Sequence, residues 1–446
     1  MQTTNVQPKG EPTLVPELEQ VTMWRVTLRI LPFLMVCYFI AFVDRVNAGF
    51  AALQMNQDIG LTAVAFGLGA GLFYIAYVLF EVPSNLALQK VGARLWIARI
   101  MITWGLVSAG MAYVVGPYSF YAARLLLGAA EAGFFPGVIL YLTYWFPATY
   151  RGRIVAIFMV AIPVSSFLGS PISAALLQTD GWLGFRGWQL LFIFEAIPAV
   201  LLGIATLFIL PNGPADAKWL TPEQRSWLQG RLEAEQAARK SPVGHLSLWR
   251  TLSNKYVLAT ALVYAGASGA SQCLSLWQPQ IIQSFGLSTM QTGFVNAIPF
   301  GLASVLMILW GRHSDRTGER VWHTAFPLAL LAGSLALALF TKALVPTVVI
   351  LCLAVIGTYT FKGPFWALST EWLSAGTAAA GIAMINAIGN IGGFVGNYLL
   401  GVIKEATGSY PLGLLPLGII SAVGTILILV LGRDQPRTVR LADVVH

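Results

Sequence analysis

Long apolar stretches separated by short polar turns dominate this chain. Six of them run near residues 28–50, 61–84, 95–114, 118–142, 153–177 and 188–210. A helix crossing the bilayer needs about 20 predominantly apolar residues, and each run meets that. Residues 211–255 break the pattern with Pro211, Pro214, Pro222, Pro242 and many charges. Within them, Trp219 to Ala237 reads as a short amphipathic helix. Thr221 as N-cap and Pro222 in the first helical position form its start signal. Six more apolar runs follow near 256–277, 289–310, 322–341, 346–368, 379–402 and 412–432. The pattern predicts an all-α integral membrane protein with 12 transmembrane helices in two pseudo-symmetric six-helix halves. The expected division is a tail over 1–27, a half over 28–210, a linker over 211–255, a second half over 256–432 and a tail over 433–446.

A faint repeat links the halves. The turn after the second span reads Asn85-Leu-Ala-Leu-Gln-Lys90-Val-Gly92-Ala-Arg94. The turn after the eighth reads Gly311-Arg-His-Ser-Asp315-Arg316-Thr-Gly318-Glu-Arg320. A shift of 226 residues lays Lys90 on Arg316, Gly92 on Gly318 and Arg94 on Arg320. The same shift carries the start of the first span to that of the seventh. Paired halves of this kind place a substrate site between them, near the bilayer midplane.

Composition narrows the class. Charged residues make up 10% of the 446 residues and hydrophobic ones 57%, whereas a soluble chain carries about 25% charged. A soluble enzyme, a nucleic-acid binder and a disordered protein are excluded. The net charge of +8 reads as basic cytoplasmic loops. Of the 27 basic residues, only Arg186, Lys342 and Lys404 fall opposite the linker side. Arg99 sits near the linker-side end of its span, and Arg45, Arg124 and Lys362 lie within spans. Both termini are therefore expected in the cytoplasm. Cys37, Cys273 and Cys352 lie far apart in apolar runs, without metal-ligand spacing or a disulfide framework. No cofactor or metal is expected. The first 24 residues lack the pattern of a secretory signal.

Ionisable residues inside the bilayer cost about 2.5–3.5 kcal/mol each on insertion scales, so they face a cavity or a partner. Asp44, Arg45 and Asn47 lie on the first span, with Asp44 and Asn47 on one face. Arg124 and Glu131 lie on the fourth, about two turns apart and so on one face. The helical rise sets Asp44 and Arg124 at similar depth and Glu131 ~10 Å deeper. Two carboxylates and two guanidiniums are thus expected to line one cavity. With both carboxylates ionised the set is neutral; one proton makes it positive and attracts an anion. Glu131, among glycines and apolar neighbours, is the expected main proton carrier; Asp44, the second acid of the coupling set, lies beside Arg45 and stays ionised more readily. A static ion-pair network is the alternative reading.

Lys362, in Thr360-Phe-Lys-Gly-Pro-Phe-Trp366, either faces the cavity or extends to the interface, since its stem is long. Glu81 and Glu195 lie nearer span ends and read as structural. Asn386 and Asn390 are one turn apart on the eleventh span, beside Gly389, Gly392, Gly393 and Gly396. Tyr74 and Tyr77 on the second span and Gln272 and Trp277 on the seventh complete the candidate binding set.

The turn containing Gly311, Asp315, Arg316, Gly318 and Arg320 resembles the loop motif of the major facilitator superfamily. Its first-half counterpart has Gln89 where the motif has aspartate. Several further stretches are similar to the anion:cation symporter family: Phe42-Val-Asp44-Arg45-Val-Asn47, Arg124-Leu-Leu-Leu-Gly128-Ala-Ala-Glu131-Ala-Gly133-Phe-Phe-Pro136-Gly137, Trp145-Phe-Pro-Ala-Thr-Tyr-Arg151-Gly-Arg153, Trp219-Leu-Thr-Pro-Glu-Gln-Arg-Ser-Trp227-Leu and Gly389-Asn390-Ile-Gly-Gly-Phe-Val-Gly396. The resemblance is greatest to bacterial 4-hydroxyphenylacetate and phthalate permeases. It implies proton-coupled uptake of a small organic anion through the plasma membrane (the inner membrane of a bacterium), a carboxylate, with an aromatic acid as the expected substrate. In it, Asp44, Arg45, Arg124 and Glu131 carry the function. Protons, the anion and membrane lipid are the expected partners, and a monomer the expected state.

An exporter or anion exchanger of the same fold is the alternative. Exporters carry a Gly-Pro-Gly-Gly-like run on the fifth span, which Gly169-Ser-Pro171-Ile-Ser173 matches only in part. An enzyme is not expected: no span carries a zinc-binding His pair, a nucleophile elbow or a phosphate-binding loop.

Overall fold

The computed structural model describes residues 14–239, 255–372 and 378–433. The expected tails beyond these bounds, and the end of the linker, lie outside the described residues. Among the described residues there are no strands. The first half holds α1 (Leu14–Asp58), α2 (Ala63–Val91), α3 (Ala93–Tyr113), α4 (Pro117–Thr143), α5 (Ala148–Leu177) and α6 (Gly187–Ile209). The linker forms α7 (Pro222–Arg239). The second half holds α8 (Lys255–Gln283), α9 (Thr289–Thr317), α10 (Val321–Phe340), α11 (Leu344–Trp372), α12 (Ala378–Thr407) and α13 (Tyr410–Arg433).

Eleven of these helices are long and apolar enough to cross a membrane. The remaining one of the twelve, α12, is 30 residues long. Its sequence carries Asn386, Asn390 and Asn397 among glycines and apolar residues. Helix α1 starts at Leu14, two turns or more before its apolar run. Those turns are polar but have contacts to make. Tyr150 Oη donates to Glu19 at 2.9 Å, and Arg25 donates to Gln224 of α7 at 3.1 Å. The linker helix thereby docks on the first half.

The repeat is visible at helix ends. Gly92 closes α2 at φ +96° and Gly318 closes α9 at φ +65°. A left-handed C-cap suits glycine, which carries no Cβ, so the two matched glycines do the same work 226 residues apart.

The fourth helix of the first half is broken. In α4 the helical segment Pro117–Glu131 gives way to Phe134–Thr143. Ala132 is extended at ψ 133° and Gly133 sits at φ +86°. A Cβ on Gly133 would lie 2.3 Å from Ser84 Oγ of α2. In α11 there is only a mild irregularity at Phe361, which keeps helical φ −69° and ψ −27°, between Leu344–Thr360 and Lys362–Trp372. Glu131 stands just before the break and Lys362 just after the irregularity. Gly133→Ala is expected to destabilise the protein by about 1–3 kcal/mol, from the strained φ and the contact with Ser84. Thermal unfolding in detergent measures this, and an unchanged midpoint would show that the turn relaxes without cost.

The halves meet most closely at the end away from the linker. There a Cβ on Gly49 would lie 2.6 Å from Leu276 O, one on Gly67 2.4 Å from Asn397 O, and one on Gly401 2.4 Å from Ala63 O. Backbones approach so closely only where side chains are absent. Asn296 Nδ2 of α9 also donates to Ser170 Oγ of α5 at 2.8 Å. This seals one end of the interface and leaves a cavity further toward the linker.

Candidate functional site

The cavity between the halves holds about 100 Å³ of enclosed space and widens toward solvent. From the first half it is lined by Tyr38, Phe42, Arg45, Tyr74 and Tyr77. From the second it is lined by Tyr264, Gln272, Tyr359, Lys362, Asn386 and Asn390. Ser268, Ser271 and Ser275 add a hydroxyl stripe along α8, since spacings of three and four residues share a helix face.

Arg45 is the cationic centre of the first-half wall. Its Nη2 is paired with Glu131 Oε1 of α4. Its guanidinium lies 4.7 Å from the Phe42 ring centroid and 5.4 Å from those of Phe73 and Tyr77. Consecutive helical residues point about 100° apart, so Asp44 turns away from Arg45. Asp44 accepts from Asn47 Nδ2 at 3.0 Å, and from Trp104 Nε1 and Ser108 Oγ of α3. Arg124 is fully buried, 4.9 Å from the Phe73 centroid. Its Nε, Nη1 and Nη2 have no hydrogen-bond partner.

The four charges therefore do not share one lining. Arg45 reaches the cavity surface, while Asp44, Arg124 and Glu131 lie behind it. Depth along the helix axis is not what pairs them, because the long Arg45 stem spans the rise to Glu131.

On the opposite wall, Lys362 Nζ lies 4.4 Å from the Tyr359 ring centroid. Among the described residues, no carboxylate lies within 4.0 Å of it. It faces the cavity. Asn386 Nδ2 donates across the halves to Glu81 Oε1 at 3.1 Å. Gln272 Nε2 donates to Asn390 Oδ1 at 3.4 Å and to Ser268 Oγ at 3.2 Å. Trp277 lies elsewhere. Its Nε1 donates to Asn397 Oδ1 at 3.0 Å and its ring packs on Phe66, within the sealed end. Sequence reasoning did not single out Tyr38, Tyr264, Tyr359 or the serine stripe. Of these, only the stripe carried a signal, in its helical spacing.

The loop motif forms a tight knot at the linker end. Arg320 Nη1 bonds Asp315 Oδ1 at 2.7 Å and Ser314 Oγ at 2.9 Å, and Arg320 Nε lies 4.0 Å from Glu371 Oε1 of α11. Gly318 makes the turn, whereas Gly311 is helical with open space where a Cβ would stand. Arg316 is exposed. Partial burial pushes Glu319 up, but bonds from the Trp322 and His323 backbone N–H groups and the His323 ring hold it below the usual carboxylate range.

Two unlike halves around a polar cavity, each with a charge on its fourth helix, suit a carrier of small solutes. The sequence profile of the Major Facilitator Superfamily matches residues 34–397. The chain belongs to the major facilitator superfamily. Among superfamily members, a putative tartrate transporter of Agrobacterium vitis is 52% identical over 96% of this chain and 99% of its own length. The quinolone resistance transporter of Acinetobacter baumannii is 40% identical over 95% and 99%. The putative metabolite transport protein NicT of Pseudomonas putida is 43% identical over 86% and 88%. Solved superfamily structures share the fold. A bacterial homologue of the human lysosomal transporter Spinster, inward-facing and occupied, aligns with TM-score 0.74 and 15% identity over 91% of this chain and 97% of that one. A D-xylose–proton symporter aligns with TM-score 0.67 and 15% identity over 92% and 97%. This is a multi-pass membrane transporter.

Proposed function

We propose that the chain imports a small organic carboxylate together with protons by alternating access, across the plasma membrane and with both termini cytoplasmic. The carrying observation is the asymmetry of the cavity. One wall holds a cation neutralised by a buried acid, Arg45 with Glu131. The other holds a cation, Lys362, with no carboxylate within 4.0 Å among the described residues. A proton on Glu131 releases Arg45, and an anion takes its place. Asp44 is the second acid of the coupling set. Tyr77, Gln272, Asn386 and Asn390 supply hydrogen bonds, and the loop motif with Asp315 and Arg320 ties the linker end. Trp277 contributes through the sealed end rather than by contact. The basic residues concentrated on the linker side support the orientation.

Two cations on opposite walls favour a substrate with two anionic or strongly polar ends. Hydroxyl-bearing diacids fit this, in keeping with the name of the Agrobacterium relative. The tyrosine lining keeps aromatic acids among the candidates. The test is electrical: reconstituted protein is exposed to a panel of sugar acids, tartrate and aromatic acids under an inward proton gradient. Inward positive current that grows with the gradient supports proton symport. Substrate binding with neither current nor proton movement at any panel acid would overturn it. Export is the second reading, favoured by the name of the Acinetobacter relative. Lowered fluoroquinolone accumulation in cells overexpressing the chain would support it.

Lys362→Met tests the diacid reading. Loss of a charge-assisted bond costs about 1.5–3 kcal/mol, so affinity for diacids is expected to fall roughly 10- to 150-fold. Affinity for the matched monoacids should change little. Equal losses for both would show that Lys362 attracts anions without selecting the second carboxylate.

A further inference from the structure

Two carboxylates lie buried together on the side of α1 away from Arg45. Glu195 of α6 is 5% exposed and Asp44 is 2% exposed, and they are within electrostatic reach of each other. Asn47 lies against both. Asp44 has donors in plenty, from Asn47, Trp104 and Ser108. Glu195 does not. Its Oε1 accepts from Ser173 Oγ of α5 at 2.6 Å, but its Oε2 is buried without a partner. Asn47 Oδ1 is a second buried acceptor without one.

No lysine or arginine acts on Glu195 among the described residues. The groups around it are Asp44 and Asn47 from α1 and Ser173 from α5, with Trp104 and Ser108 of α3 holding Asp44. The nearby cation Arg124 acts on Asp44. A buried carboxylate with an idle oxygen and no cation is costly as an anion and tolerable as an acid. A single hydrogen on Oε2 removes that charge and turns the idle oxygen into a donor.

We infer that Glu195, joined to Asp44 through Asn47, is a second proton-binding site off the cavity that adds a proton to the transport cycle. The site itself stands on geometry; its part in the cycle rests on the proton-symport reading. Asp44 directly precedes Arg45, so a change of charge at this pair is felt at Arg45 and Glu131. Spacing along the chain makes Glu195 look structural. Its idle oxygen is what argues otherwise.

The first test uses the proton alone as the probe. Full-length protein in lipid is titrated with pH while the infrared carbonyl band of protonated carboxylic acids is followed in H2O and D2O. A component present in wild type and in Glu131→Gln, but missing from Glu195→Gln, is expected. Ser173→Ala, which keeps both acids, should move the band without removing it. A Glu195→Gln titration that superimposes on wild type overturns the site. The second test counts charge moved per tartrate in proteoliposomes. Glu195→Gln is expected to carry one fewer positive charge per anion, and an unchanged ratio in an active variant overturns the role in the cycle. Tartrate uptake without proton movement in wild type, with the Glu195 band intact, overturns the symport reading and supports the site.

Discussion

Glu131→Gln is expected to abolish proton-driven accumulation of the anion while leaving anion-for-anion counterflow in place. Glu131 is almost fully buried and bound to Arg45. Glutamine has the shape of the protonated acid but cannot lose a proton. Arg45 then stays free for an anion at any pH, and the carrier loses the step that ties loading to the proton gradient. The size of the effect follows from the gradient. One pH unit is worth about 1.36 kcal/mol per proton, so each coupled proton contributes roughly a tenfold accumulation that the variant forgoes. Radiolabelled uptake with and without an imposed gradient, followed by counterflow, separates the two outcomes. Retained accumulation would take the coupling role from Glu131. Loss of counterflow as well would mean that the Arg45–Glu131 pair holds α1 to α4 as a structural tie.

Much of the fold was legible because the bilayer demands long apolar helices, and the chain supplies them at regular intervals. The halves and their linker follow from the same count. The break in α4 was not legible. Gly133 stands among other glycines, and nothing local marks it as the one at positive φ; the close approach of Ser84 from α2 decides that. The start of α1 was hidden because its first turns are polar, and only their partners Tyr150 and Gln224 reveal why they are helical. In the site, residue types were readable and directions were not. Asp44 and Arg45 are adjacent, and which one faces the cavity depends on the rotation of α1. Trp104 and Ser108, sixty residues and more away, bind Asp44 and thereby set it. Lys362 has a stem long enough for either destination, and in the structure it lies over the Tyr359 ring on the cavity wall. Trp277 shares its helix with Gln272, yet Asn397 draws it into the sealed end.

Arg124→Ala is expected to weaken anion binding by about 2–5 kcal/mol, roughly 30-fold to several thousandfold. The reason is an imbalance within the first half. Two guanidiniums, partly buried Arg45 and fully buried Arg124, stand within electrostatic reach of Glu131, and in this state Arg45 holds it. All three nitrogens of Arg124 are buried without a hydrogen-bond partner, against the face of Phe73. Buried polar groups are ordinarily satisfied, and a guanidinium has five N–H donors to place. A permanent structural network would have given Arg124 a carboxylate. An idle cation instead suits a cycle in which an acid arrives, either the substrate itself or Glu131 displaced from Arg45 by the substrate. Both routes need the charge at position 124, so both lose affinity with alanine. Arg124→Lys separates charge from shape, because lysine keeps the charge but lacks the planar fork. Partial recovery with lysine and none with methionine is the expected order, read as anion-dependent thermal stabilisation of the purified protein. Wild-type affinity in Arg124→Met would make Arg124 a packing residue on Phe73 and leave Arg45 and Lys362 as the anion's only cations.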